Sequence, residues 1–454
     1  MLQNYKNIYF LGIGGVGMSG LASWCKVKLT KEVAGYDRRE SYFTSQLKAK
    51  NIVIQNSESL HSIPDSFLDN KTTLIVYTPA VSNQNKLYTF FEKNGFTIIK
   101  RATLLGLVSQ QYFVIAIAGT HGKTTTSIML AHVLKCAGMN VSALFGGVSK
   151  NYNTNFLFSK NKNVNEKYMV VEADEYDRSF LKLHPSITLV TSLDKDHGDT
   201  YFSKKDMFAA YLQFILINTL KNSQKKYCPH VFMTNIVYDK LKNLKYVDND
   251  VGQMLSGSEN ISKFSFEKYD EFKSFKKLPE HNIQNAISAF KVAAHLGIPA
   301  EKIIQAFTTY QGVKRRFEYH VNLDAKVLID DYAHHPAEIK CLISGVRQLH
   351  PRHKLFLIFQ PHLYSRTRDL EQGFCEVLSL VDQLVLFDIY PAREKPISGV
   401  SSKELLKKIN IKDKWVADSI SIKKIIQSKS PTLIVTAGAG DIDRIIPMIK
   451  KNFN

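Results

Sequence analysis

The sequence predicts an α/β protein of three domains. They are an N-terminal Rossmann-like domain (1–108), a central P-loop mononucleotide-binding domain on a parallel sheet (109–312), and a C-terminal Rossmann-like domain (313–454). Three observations lead there. A chain of 454 residues is too long for one hydrophobic core. Short apolar runs alternate with helical segments, the pattern of parallel strands covered by helices on both faces. In each block the polar clusters directly follow an apolar run, at the carboxyl edge of a sheet, where ligands bind in open α/β folds.

The first block opens with the run Ile8–Ile13, and its further strands are "VAGYD" (Val33–Asp37), "NIVIQ" and "TTLIVYT". Gly12-x-Gly14-x-x-Gly17 follows the first strand and opens a helix, and Asp37 ends the next strand about twenty residues on, as in a dinucleotide fingerprint. Alone this would indicate NAD. A second phosphate loop further along makes a plain dehydrogenase a poor fit. The alternative is a nucleotide-diphosphate substrate whose pyrophosphate uses the same turn.

That second loop lies in "FVIAIAGTHGKTTTSIMLAHVLKCAG" (Phe113–Gly138), between the buried-strand run Val114–Ala118 and a helix expected over Ile128–Ala137. The usual nucleotide loop places a glycine five residues before the G-K-T glycine; here that position is Ile117, and a shorter Gly119-Thr120-His121-Gly122 turn precedes Lys123-Thr124. A turn so placed aims backbone N–H groups at an anion, with Lys123 to neutralise β- and γ-phosphates and the Thr124 hydroxyl to ligate Mg²⁺. Glu172 ends the run Tyr168–Val171, where a nucleotide-bound Mg²⁺ would need a carboxylate, and Asp174 and Asp177 are nearby. His197, in Asp194–Asp199, is a second candidate metal ligand. A helix over Asn282–His295 stops at Gly297.

The third block carries strands "KVLID", "KLFLIF", "QLVLFD" and "TLIVTAG" with the clusters "DDYAHHP" (Asp330–Pro336), "FQPHLYSRTRD", "YPAREKPISGV" and "TAGAGDI". Five of the chain's twelve arginines (Arg315, Arg316, Arg366, Arg368, Arg393) lie in or just before these clusters, and arginine suits bidentate carboxylate and phosphate contacts. Zinc on His334, His335 and His362 is disfavoured, because adjacent histidines rarely point to one metal and no cysteine accompanies them.

Composition narrows the partners. The net charge of +19 comes from 48 Lys and 12 Arg against 41 acidic residues. The lysine-rich balance, with abundant Asn and Ile, reads as codon drift more than as a polymer-binding surface; no nucleic-acid module is recognisable. Five scattered cysteines form no C-x-x-C pair, which fits a reducing compartment. No run of about 18 apolar residues is present, so no membrane span is expected and a cytoplasmic protein is the default.

In order along the chain, "GIGGVGMS", "GTHGKTTT", "EADEYD", "EHNIQNA", "DDYAHHP", "FQPHLYSRT", "YPAREKPISGV" and "GAGDI" resemble the Mur ligase family over nearly the whole length. The family's loop is the shorter G-T-H-G-K-T-T, which accounts for the missing glycine. "FQPHLYSRT" with "YPAREKPISGV" looks like the member that adds L-alanine to UDP-N-acetylmuramate. A murein-tripeptide recycling ligase shares "EADEYD" and the histidine pair but differs at those two sites. The resemblance implies phosphorylation of the lactyl carboxylate by ATP, attack of the alanine amine on the acyl phosphate, and loss of phosphate, with two Mg²⁺.

It implies ATP on Gly119, Thr120, His121, Gly122, Lys123, Thr124 and Thr125, with Asn282 and Asn285 around the adenine, Arg316 on phosphate, and Asp330 or Asp331 on the ribose. The metals would use Thr124, Glu172 and His197, and His121 would lie near the lactyl carboxylate or γ-phosphate. The UDP-sugar would take Gly14, Gly15, Gly17, Met18, Ser19 and Asp37. Alanine would take Tyr332, His334 and Arg366; some relatives carry arginine where this chain has Leu363. Relatives adding later residues use a carbamylated lysine, a role that neither Lys204 nor Lys205 can be aligned to. Competing expectations are the recycling ligase, a folylpolyglutamate-type ligase sharing the central block, and a basic nucleic-acid-binding NTPase.

Overall fold

The computed structural model describes residues 2–158, 167–194, 200–201, 203–220, 229–243, 259–266, 272, 278–392 and 394–453. It contains three sheets. The first has the order β3-β2-β1-β4-β5, all parallel: β1 Asn7–Leu11, β2 Glu32–Tyr36, β3 Val53–Gln55, β4 Thr73–Tyr77 and β5 Thr97–Lys100. The central strand β1 is buried along its whole length, which is why its sequence, NIYFL, is a continuous run and does not alternate.

The second sheet has seven strands in the order β12-β11-β10-β6-β9-β7-β8. They are β6 Phe113–Ala118, β7 Val141–Ser149, β8 Thr154–Leu157, β9 Tyr168–Glu172, β10 Ile187–Val190, β11 His230–Thr234 and β12 Ile261–Phe264. Only β8 runs antiparallel, returning from β7 through a tight turn in which Asn153 takes a left-handed φ of +49°. Sequence reading gave no sign of this hairpin. The helix after β6 spans Lys123–Cys136, starting five residues before its expected Ile128. Three of those five residues are Thr124–Thr126, β-branched and of modest helix propensity, which here sit buried against neighbouring elements.

The third sheet has the order β13-β14-β18-β15-β16-β17 and is parallel except for the edge strand β13. Its strands are β13 Glu318–Leu323, β14 Lys326–Asp331, β15 Leu355–Phe359, β16 Gln383–Leu386, β17 Asp413–Val416 and β18 Leu433–Ala437. Both β15 and β18 are fully buried. The helix Pro336–Leu349 is started by a capping box of His335 and Glu338 with Pro336 at its first position.

The chain forms two compact units, 1–269 with 284–311 and 270–283 with 312–454. The helix Glu280–His295 therefore belongs to the second unit in its first turn and to the first unit beyond it. Among the described residues no helix is long and apolar enough to cross a membrane.

Candidate active site

In the first unit, the carboxyl ends of β6, β9 and β10 converge on the phosphate loop. Gly119 (φ +126°) and Gly122 (φ +81°) take angles that other residues rarely adopt. Between them the loop is tied to the segment after β10. Thr120 Oγ1 donates to the Asp194 carbonyl (3.0 Å) and accepts from Asp194 N (2.9 Å), and His121 N donates to Ser192 Oγ (2.8 Å). The helix Lys123–Cys136 has no acidic residue in its first turn, so its free N–H groups and dipole favour an anion.

Lys123 folds back over this loop. Its Nζ donates to the carbonyls of Gly119 (2.6 Å) and Thr120 (3.2 Å) and pairs with both carboxylate oxygens of Glu175 at 2.9 Å. Burial would push the ammonium down, but Glu175, Glu172 and Asp174 together outweigh it and hold Lys123 above the usual lysine value. Glu175 is fully buried, and the Tyr201 hydroxyl holds its main-chain carbonyl at 2.7 Å. Sequence reading missed Glu175. Its motif "EADEYD" carries several carboxylates, and nothing in that spelling says which one is taken out of water.

Thr124 and Glu172 meet: Thr124 Oγ1 lies 3.1 and 2.9 Å from the two Glu172 oxygens, and Gly146 N holds Oε2 at 2.8 Å. Burial raises the Glu172 pKa, against the pull of Lys123 and the Thr124 hydroxyl. A hydroxyl and a fixed carboxylate converging beside a phosphate loop are hard oxygen donors that fit Mg²⁺. Asn285 Oδ1 accepts from Thr126 Oγ1 (3.2 Å) and lies against Gly122, at the loop. Asn282 is on the same helix, and Thr125 is buried in the first turn of Lys123–Cys136. His197 and Arg393 lie outside the described residues; Lys204 and Lys205 are exposed.

The remaining acids of "EADEYD" are paired. Arg101 Nη2 reaches Asp174 (2.8 Å) and Lys100 reaches Asp177 (2.8 Å). In the glycine turn of the first block, Gly14 N donates to Asp37 Oδ2 (2.7 Å), so Asp37 braces the turn itself. Gly15 caps the following helix without a side-chain bond. Met18 is packed in the core, and Ser19 is buried, its hydroxyl bonded to Val16 O (3.0 Å) and to Asn155 Nδ2 (3.0 Å). What these two present to a ligand is main chain.

In the second unit, Tyr332, His334, His362 and Arg366 cluster. Arg366 Nη1 is 3.2 Å from His362 Nδ1, and the His334 and His362 rings lie 6.0 Å apart. The acids that follow Arg366 in the chain pair with other residues, Asp369 with Arg368 and Glu371 with Lys408, each at 2.7 Å. His334 Nδ1 lies 3.0 Å from the Tyr332 carbonyl, which can only accept, so Nδ1 carries the proton and Nε2 is left as an acceptor. Burial lowers its pKa, keeping it neutral. Arg315 and Arg316 lie over the Tyr332 ring at 5.2 and 5.1 Å.

Asp330 and Asp331 serve the chain. Asp330 accepts from Arg315 Nε (3.2 Å) and Thr436 Oγ1 (2.6 Å), and Asp331 accepts from Phe317 N (2.6 Å) and Ala333 N (2.7 Å). Burial pushes both up to about 6. Each carboxylate oxygen has a second lone pair, so these bonds leave acceptor capacity for a hydroxyl. Glu318, His320 and Asp330 also bring ligand atoms together, but Arg315 on Asp330 makes that cluster unfavourable for a cation.

Backbone strain marks the same loops. Asp177, Arg178, Arg315, Phe317, Leu363 and Ala392 all have positive φ, and for Leu363 (φ +70°) this is a genuine outlier, immediately before the helix Tyr364–Asp369 that bears Arg366.

Comparison with known proteins gives consistent matches. Residues 7–113 match "Mur ligase family, catalytic domain", 117–293 "Mur ligase middle domain", and 315–440 "Mur ligase, glutamate ligase domain". The chain is 39% identical to UDP-N-acetylmuramate–L-alanine ligase of Christiangramia forsetii, covering 99% of this chain and 98% of that one. It is 40% identical to the protein of the same name from Flavobacterium johnsoniae, covering 100% and 99%. Among solved structures it resembles UDP-N-acetylmuramate-alanine ligase from Thermotoga maritima (TM-score 0.74, 22% identity, 98% and 99% covered). It also resembles a murein peptide ligase from Psychrobacter arcticus (TM-score 0.67, 20% identity, 98% of each chain).

Proposed function

The chain belongs to the Mur ligase family, and from that premise we infer how its residues perform the reaction: ATP-dependent addition of L-alanine to UDP-N-acetylmuramate in peptidoglycan synthesis. The observation that carries the mechanism is the phosphate loop with Lys123 held between its own carbonyls and Glu175, beside the Thr124–Glu172 pair.

Lys123 moves its charge from Glu175 to the β- and γ-phosphates, and the helix start behind it receives the same anion. Thr124 and Glu172 would hold one Mg²⁺, which would offset repulsion between the two anions and stabilise the charge in flight; His197, outside the described residues, is the ligand that the family resemblance would give a second. The lactyl carboxylate attacks the γ-phosphorus, ADP leaves, and an acyl phosphate forms. The alanine amine attacks its carbonyl carbon, and phosphate departs. His121 stands at the lactyl carboxylate or γ-phosphate. Asn282 and Asn285 flank the adenine, Arg316 contacts phosphate, and Asp330 or Asp331 takes a ribose hydroxyl.

Tyr332, His334 and Arg366 receive alanine: the guanidinium takes the carboxylate, and His334 Nε2 offers a lone pair to the ammonium. Gly14, Gly15, Gly17, Met18, Ser19 and Asp37 form the UDP-sugar turn. The reaction takes place in the cytoplasm. The test is an amino-acid and peptide panel with UDP-N-acetylmuramate and ATP, read as phosphate release. Release with L-alanine supports the reading; release only with a tripeptide would assign the recycling activity instead.

A further inference from the structure

Arg101 is the first residue of the helix Arg101–Ser109, and its guanidinium does two things at once. Nη2 pairs with Asp174 at 2.8 Å, and Asp174 lies between Glu172 and Glu175, the carboxylates that hold Thr124 and Lys123. Nη1 lies over Gly17 of the glycine turn, so close that a Cβ there would come within 2.6 Å of it. A Cβ at Gly17 would push the end of this side chain aside.

A guanidinium has five N–H donors. Among the described residues its hydrogen bonding is the one contact with Asp174, although the side chain is only 20% exposed. It also stands at the positive end of the helix Val16–Lys28, whose first turn holds no acidic residue. A cation there is unfavourable by itself and becomes favourable when an anion shares the site. Asp174 supplies part of that charge from one side, leaving the side over the glycine turn for another.

We propose that Arg101 binds the diphosphate of the UDP-sugar through the donors facing Gly17, while its Asp174 contact ties that occupancy to the acidic loop holding Lys123 and Thr124. This rests on the functional reading above and adds to it a residue that positions one substrate relative to the other's phosphate loop.

The test is calorimetric titration of the full chain, without ATP, using UDP-N-acetylmuramate and UDP-N-acetylglucosamine, which lacks the lactyl carboxylate. Arg101→Gln should weaken both sugars about ten- to a hundredfold, the loss of a charge-assisted contact, with an unchanged thermal midpoint and unchanged ATP binding. Arg101→Lys should fall between, since it keeps the charge and loses the fork. Asp174→Asn should leave both affinities within about threefold, and the exchange Arg101→Asp with Asp174→Arg should restore the ion pair but not binding.

Equal losses from Asp174→Asn, or recovery of binding in the exchanged pair, would make Arg101 a structural staple and overturn the proposal. So would a loss confined to UDP-N-acetylmuramate, or a wild type that ignores the carboxylate-free sugar, because either assigns Arg101 to the lactyl group. A wild type that binds neither sugar would remove the functional reading itself.

Discussion

Replacing Lys123 by methionine should do more than stop the reaction. The side chain is 12% exposed, and its partner Glu175 is fully buried. Losing the ammonium leaves a buried carboxylate uncompensated, at a cost of about 3–5 kcal/mol. The Gly119 and Thr120 carbonyls lose a donor as well. For a folding unit of this size, 1 kcal/mol moves the midpoint by roughly 2–4 °C, so Lys123→Met should lower it by about 6–20 °C.

Glu175→Gln keeps an acceptor for Lys123 and both loop carbonyl bonds, so it should lose less. Lys123→Met with Glu175→Gln removes both charges, and the pair should recover about 1–3 kcal/mol relative to the sum of the single changes. In Lys123→Met, burial without a counter-charge would disfavour the ionised form of Glu175. Its penalty is then absent below the unfolded carboxylate value and grows as pH rises through the folded one. The assay is thermal unfolding of all four proteins at pH 5 and 8, alongside turnover. Both variants lacking Lys123 should be inactive, including the one whose stability recovers. Strict additivity of the two single changes would refute the claim that this pair is energetically coupled.

Arg366→Lys should raise the KM for alanine about ten- to a hundredfold and leave the KM for ATP within about twofold; the reverse pattern in steady-state kinetics would move Arg366 to the phosphates. Gly122→Ala forces a Cβ against Asn285 at φ +81° and should raise the KM for ATP at least about tenfold, at a backbone cost of about 1–2 kcal/mol. Gly138→Ala, at φ +80° in open space, should carry a similar backbone cost with normal kinetics, so equal kinetic damage from both would count against a role for the loop geometry. Burial, then the neighbouring His295 ring at 4.3 Å, pushes His230 down to about 4. Its stabilisation is present above the unfolded value near 6.5 and is lost as pH falls toward 4, so His230→Gln should flatten the decline in thermal midpoint between pH 7 and 4.5.

The sequence by itself determined the three α/β blocks, the strand–loop–helix around Gly122-Lys123-Thr124, the glycine turn at Gly12–Gly17 and the order of the motifs. These are local properties. A buried parallel strand must be a continuous apolar run, and a phosphate loop must put its glycines, lysine and threonine at fixed spacing between strand and helix. Glu172 was legible for the same reason, since the end of β9 is a place that the pattern of apolar residues marks directly.

Only the tertiary structure decided which partner each charged group faces. Glu175 holds Lys123, Arg101 reaches from the start of its helix to both Gly17 and Asp174, Asp37 braces Gly14, and Arg366 turns to His362 while Arg368 and Lys408 occupy the nearby acids. Lys123 and Glu175 are 52 positions apart, and Arg101 and Asp174 73. Such meetings are set by strand order: β9 lies beside β6 in the second sheet, although a hairpin and a helix intervene in the chain. Propensity and periodicity report what a residue's own backbone will do. Whether its charge is solvated or compensated depends on a neighbour that only the closed sheet brings within reach.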